Sequence, residues 1–122
     1  MYLIFDTETT GLPQNWKAPL TDFNNWPRMV QLAWQMHDSQ GKLIDVKNFI
    51  IKPEGYDIPY NAEKIHGIST DRANKQGVGL KFVLQEFIKD VESSKFVVGH
   101  NVEFDNNIVG CELLRNNMVN LL

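Results

Sequence analysis

Four apolar residues, Tyr2-Leu3-Ile4-Phe5, run without a break into Asp6-Thr7-Glu8, and Gly11-Leu12-Pro13 ends the segment. A short apolar run bounded by turn residues reads as a buried strand. Residues two apart on a strand point to the same face. Asp6 and Glu8 can therefore converge on one point at the strand's C-terminal end. A strand of this kind is expected at the centre of a sheet.

The elements that follow fit such a sheet. Residues 13–28 hold three prolines (Pro13, Pro19, Pro27) and three aromatics (Trp16, Phe23, Trp26). That is a long loop against a usual median of about 4–6 residues, which points to a functional loop or a lid. Residues 29–37 read as a second strand, Ser39-Gln40-Gly41-Lys42 as a hairpin turn, and residues 43–52 as a third, antiparallel strand closed by Pro53. A short helix is expected from about Ile58 to Ile65, ended by His66-Gly67, with Ser69 or Thr70 capping a further turn through Ala73. Leu80, Leu84, Phe87, Ile88 and Val91 recur at helical spacing, so residues 79–93 form an amphipathic helix. Phe96-Val97-Val98-Gly99 is then a parallel strand. The last helix begins at His100 or Asn101, with Phe104, Ile108, Cys111, Leu114 and Met118 on its core face. The order βββ-α-β-α gives an α/β fold with a mixed sheet, a central first strand and flanking helices.

Composition excludes several classes. With 122 residues, 43% hydrophobic and 11% aromatic, residues 1–122 make one domain with a packed core rather than a disordered chain. A net charge of −3 announces no nucleic-acid partner by itself. The single cysteine, Cys111, excludes an intrachain disulfide and fits a reducing compartment, so a cytoplasmic protein is expected. No apolar run approaches the ~20 residues needed to cross a bilayer, so no membrane partner is expected.

Two constellations carry chemistry. A lone Asp-x-Glu is more often a solvated strand end than a site. Here the residues before it are uniformly apolar, and Thr9, Thr10 and Gly11 offer hydroxyls and a close backbone approach to a phosphate or sugar. Far along the chain stands Gly99-His100-Asn101-Val102-Glu103-Phe104-Asp105. Asp105 falls in the first helical turn, where the helix dipole favours negative charge, and that alone would explain an acid there. The strand before it nevertheless brings Asp105 to the same sheet edge as Asp6 and Glu8, with Glu103 facing away. Three hard oxygen ligands at strand ends suit Mg²⁺ or Mn²⁺ and phosphate chemistry.

Residues 5–12 and 99–105 resemble the first two motifs of the DnaQ-like (DEDDh) 3′–5′ exonucleases, the group that includes the epsilon proofreading subunit of DNA polymerase III. Ile65-His66-Gly67-Ile68-Ser69, preceded by Pro59, is similar to the family's Ile-His-Gly-Ile-Thr segment, and Val30-Gln31-Leu32-Ala33 to its second strand. The resemblance implies a ribonuclease H-like fold and removal of nucleoside monophosphates from DNA 3′ ends in proofreading or repair. It implies Asp6, Glu8 and Asp105 as catalytic metal ligands, for two Mg²⁺ or Mn²⁺ ions in the complete domain. Thr9, Thr10, Gly11, Leu12, His66 and Phe104 would line the pocket for the terminal nucleotide, with Phe104 also pointing into the core. Single-stranded DNA 3′ ends and a polymerase subunit are the implied partners.

The family's third motif, His-x-x-x-x-Asp, supplies the general base and a fourth ligand. After Asp105 the sequence holds no histidine, and its only acid is Glu112. The expectation is a partial domain lacking its C-terminal strand and helix, with little activity. An apolar edge beside residues 96–99 would be left uncovered and open to homodimerisation. RNA trimming is an alternative, as is a catalytically inactive nucleic-acid-binding or polymerase-interaction module. Trp16, Phe23 and Trp26 either stack on unpaired bases or pack their loop onto the sheet's rim.

Overall fold

The computed structural model describes residues 1–99 and 101–122. Among these the strands are β1 (Tyr2–Thr9), β2 (Met29–His37), β3 (Leu43–Ile50) and β4 (Phe96–Gly99), and the helices α1 (Tyr60–His66), α2 (Thr70–Gln76), α3 (Leu80–Glu92) and α4 (Val102–Arg115). The sheet order is β3-β2-β1-β4, with β1 antiparallel to β2 and parallel to β4. This is the mixed sheet with an inner first strand that the sequence predicts. The β2–β3 turn closes through Asp38, whose carboxylate accepts from the backbone N–H groups of Gln40 and Lys42, while Gly41 takes the left-handed conformation at φ 82°.

The expectation of a fully buried first strand is corrected. Leu3, Phe5 and Thr7 are buried, but Tyr2, Ile4 and Asp6 are exposed. The cause is one-sided cover. Phe87 of α3 packs on Phe5 and against the edge of Trp34, and α4 adds Ile108, Cys111 and Leu113 to the same core. On the other face Tyr2, Ile4, Val46, Phe96 and Val98 stay exposed. The alternation was hidden because both faces of β1 and β4 carry apolar residues.

A second, smaller core of Val30, Ile58, Ala62, Ile68 and Ala73 seats α1 and α2 at the strand ends. Gly67 caps α1 at φ 76°, a conformation that suits glycine, and its N–H bonds the Glu63 carbonyl. Ser69 caps α2 by accepting from the Arg72 N–H, and that helix runs on to Gln76 rather than stopping near Ala73.

The last helix differs from expectation in its core face. Ile108 and Cys111 are buried as expected, but so are Val109, Glu112 and Leu113, while Phe104, Leu114 and Met118 are only half-buried. Loop 13–28 folds over this helix and covers what would otherwise be its polar side. Arg115 holds the loop by donating to the carbonyls of Phe23 and Trp26.

Candidate active site

β1 brings Asp6 and Glu8 to the same face, two residues apart, with Thr7 between them on the opposite, buried face. Asp105 lies in the first turn of α4 and is buried; its Oδ1 accepts a 2.6 Å hydrogen bond from the Thr7 hydroxyl. Its Oδ2 is buried without a partner among the described residues. Burial, and then the neighbouring Asp6 charge, hold the Asp105 carboxyl above its usual range, with the Thr7 bond acting in the opposite sense. Glu8 is likewise raised, first by burial and then by Asp6, with Asp105 adding and His66 opposing. The three carboxylates therefore act on one another across the end of β1. Among the described residues, however, no three carboxylate, imidazole or thiol side chains stand close enough together to enclose a metal ion.

The donor set still fits a hard divalent cation in kind. It is all carboxylate oxygen, it is mutually repulsive, and it includes a buried oxygen with no partner. Glu103 is exposed, as expected. His100 lies outside the described residues.

Beside Glu8 opens a cavity of about 300 Å³ lined by residues Thr7 through Leu12, by Asn61, Ala62, Ile65 and His66 of α1, and by Phe104. Thr9, Thr10, Gly11, Leu12, His66 and Phe104 thus share one pocket. The threonine hydroxyls differ from expectation, because backbone partners already engage them. Thr9 donates to the Gly11 carbonyl, and Thr10 accepts from the Arg28 N–H. They shape the turn that walls the pocket. The His66 Nδ1 accepts from the Ile68 N–H at 3.1 Å, so a neutral ring carries its proton on Nε2, which is buried without a partner. Phe104 packs against the main core, as expected, and also reaches the pocket. It is half-buried at the pocket wall with its ring 5.5 Å from that of Trp16.

Sequence reasoning missed two residues that hold this arrangement. Thr7 carries no signal of its own in the sequence, yet its hydroxyl donates to Asp105 and fixes it. Glu112 is fully buried and gathers the Arg28 guanidinium, the Arg115 guanidinium and the Met29 N–H. An acid with apolar neighbours late in a helix is the signal that could have found it.

An exonuclease family model (RNase T) matches residues 3–120, and the chain belongs to this exonuclease family. It is similar to the DNA polymerase III subunit epsilon of Rickettsia prowazekii, 32% identical over 91% of this chain and 43% of that protein. It also resembles the PolC-type DNA polymerase III of Mycoplasmopsis pulmonis, 26% identical over 96% of this chain and 7% of that protein. In fold it matches Escherichia coli exonuclease I crystallised with a dT13 oligonucleotide, with a TM-score of 0.80 and 24% identity over 98% of this chain and 25% of that one. The chain thus spans less than half the length of these relatives. Among the described residues no helix is long and apolar enough to cross a membrane.

Proposed function

We propose that this domain removes nucleoside monophosphates from DNA 3′ ends, as a 3′–5′ exonuclease of proofreading or repair that depends on Mg²⁺ or Mn²⁺. The observation that carries the reading is the junction of an apolar pocket with a group of mutually repelling carboxylates at the end of β1. A cavity of about 300 Å³ is at the small end of ligand sites and suits one nucleotide.

In this reading Leu12, Ile65 and Phe104 receive the terminal base and sugar, while the turn of Thr9, Thr10 and Gly11 sets the close backbone wall. His66 donates from Nε2 to an oxygen of that nucleotide. Its tautomer is set in advance by Ile68, so no reorganisation is needed on binding. Asp6, Glu8 and Asp105 would hold the divalent cation, with Thr7 orienting Asp105. A bound cation would supply Lewis-acid stabilisation of the charge that develops on the scissile phosphate. The general base of the family's third motif has no counterpart after Asp105 in these 122 residues. Loss of such a base costs about 10²–10⁴-fold in rate, so slow hydrolysis is expected of this chain alone. Single-stranded 3′ ends and a polymerase subunit are the proposed partners, in the cytoplasm, with self-pairing at the exposed β4 edge.

The spacing of the carboxylates favours a second reading, a nucleic-acid-binding module with little chemistry of its own. The test is to incubate 5′-labelled single-stranded DNA with the chain in Mn²⁺ and follow shortening from the 3′ end, beside Asp6→Asn. Stepwise loss of mononucleotides that Asp6→Asn abolishes supports the exonuclease. Tight binding without shortening supports the module, and neither binding nor shortening overturns both.

A further inference from the structure

We infer that Trp16 is the stacking platform for the base next to the 3′-terminal nucleotide, which makes the site selective for unpaired 3′ ends. The inference rests on the pocket being a 3′-end site.

The loop's three aromatics have different fates. Trp26 is 3% exposed, and its indole N–H is spent on the Pro19 carbonyl. Phe23 lies under the Arg115 guanidinium, 5.7 Å from its ring. Trp16 lies outside the pocket's lining but alone of the three rests on its wall, leaning on Phe104 with the ring planes 49° apart. It remains 48% exposed. An indole left half in water gives up much of the stabilisation that burial brings an aromatic side chain. Here the loop keeps it exposed by design of the backbone. The Asn25 side chain, buried at 9% exposure, accepts from the Asn15 N–H at 2.7 Å and donates to the Asn15 carbonyl at 2.9 Å. The Asn15 side chain in turn accepts from the Lys17 N–H at 2.9 Å. Both neighbours of Trp16 are pinned, and its ring rests on Phe104 with about half its surface open, which is how a preorganised recognition residue is built.

The occupant follows from the position. Phe104 is shared by the pocket wall and by Trp16, so a ligand leaving the pocket on that side passes onto the indole. For a nucleic acid held by its 3′-terminal residue, the next group along is a base. Every base offers a π-face to an aromatic ring, whereas a base within a duplex has its faces covered by its neighbours. Leu12, 71% exposed, and Ile65, 84% exposed, continue the apolar rim around the mouth. Lys17 follows Trp16 in the chain with an exposed cationic side chain suited to a phosphodiester.

The test compares thymidine monophosphate, which can fill only the pocket, with a hydrolysis-resistant phosphorothioate oligothymidylate. Both are titrated against the parent chain, Trp16→Ala and Trp16→Phe. Base–aromatic stacking predicts that the ratio of oligonucleotide to mononucleotide affinity falls by about 5- to 150-fold in Trp16→Ala and returns in Trp16→Phe. The parent's tryptophan fluorescence should be quenched by the oligonucleotide, and this quenching should be lost in both variants. A parent that binds both ligands while Trp16→Ala keeps the same ratio overturns the stacking role and leaves the pocket reading standing. A parent that binds neither overturns both.

Discussion

Asp105 presents one oxygen to Thr7 and buries the other without a partner, and its ionisation therefore opposes folding. Its carboxyl is held above the usual range by burial and by Asp6. As pH rises from the ordinary carboxylate value, near about 4, toward the folded value, the unfolded chain loses this proton before the folded one does, so stability falls across that window. Asp105→Asn keeps an acceptor for Thr7 and removes the charge. Thermal melts without divalent ions should show the variant matching the parent at low pH and exceeding it at neutral pH. Added Mn²⁺ should raise the parent's midpoint more than the variant's. Parallel pH curves for the two proteins would refute this account. At this scale the sequence was legible where chemistry and position coincide, as in Asp6 and Glu8 at the end of an apolar run. Thr7 was not, since a hydroxyl's partner 98 residues away leaves no trace in local pattern.

The connections between elements carry the closest fits. Gly77, just past α2, lies against β3's exit, where a Cβ would come within 2.2 Å of the Ala73 carbonyl oxygen and 2.5 Å of the Lys52 nitrogen. The Lys52 N–H bonds the Val78 carbonyl, and the Val78 N–H bonds the Ile50 carbonyl, so the added methyl would push apart a paired segment. Gly77→Ala should cost about 1–3 kcal/mol in urea unfolding, as overpacking does, and an unchanged midpoint would remove the reason for glycine there. Loop 13–28 and α4 are joined instead by charge. Glu112→Ala would take from the guanidinium groups of Arg28 and Arg115 their only carboxylate among the described residues and leave the Met29 N–H without its acceptor, and should cost about 3–5 kcal/mol in the same assay. Helix and strand identities were readable here because periodicity is local. The buried Glu112 side of α4 was not, because that face is buried by a loop whose path no periodicity encodes.

Across the whole molecule one face of the sheet lacks cover among the described residues. Tyr2 and Phe96 stack on it at 5.2 Å, with Ile4, Val46 and Val98 also exposed, and β4 is an edge strand. Apolar faces beside unpaired edges promote association. Sedimentation velocity should show association that grows with concentration, and Val98→Lys should suppress it; a monomer at every concentration would count against the proposed self-pairing. The strand order was readable from the short β2–β3 turn and the helix before β4. Which face stays open was not, because apolar residues of both parities in Tyr2-Leu3-Ile4-Phe5 and Phe96-Val97-Val98 mask the side that faces water.

The inner place of β1 also has a consequence in time. Its partner on one side, β2, follows after a loop, but its partner on the other, β4, begins at Phe96, after β2, β3 and three helices. At a synthesis rate of about 5–20 residues per second, the stretch between β1 and β4 takes on the order of 5–20 s to emerge. For that interval the strand bearing Asp6 and Glu8 has one side unpaired. The waiting edge is Tyr2–Phe5, all apolar, and until β4 arrives it is open to pairing with a second chain, so the strand that carries the site is the one most exposed to misassembly during synthesis.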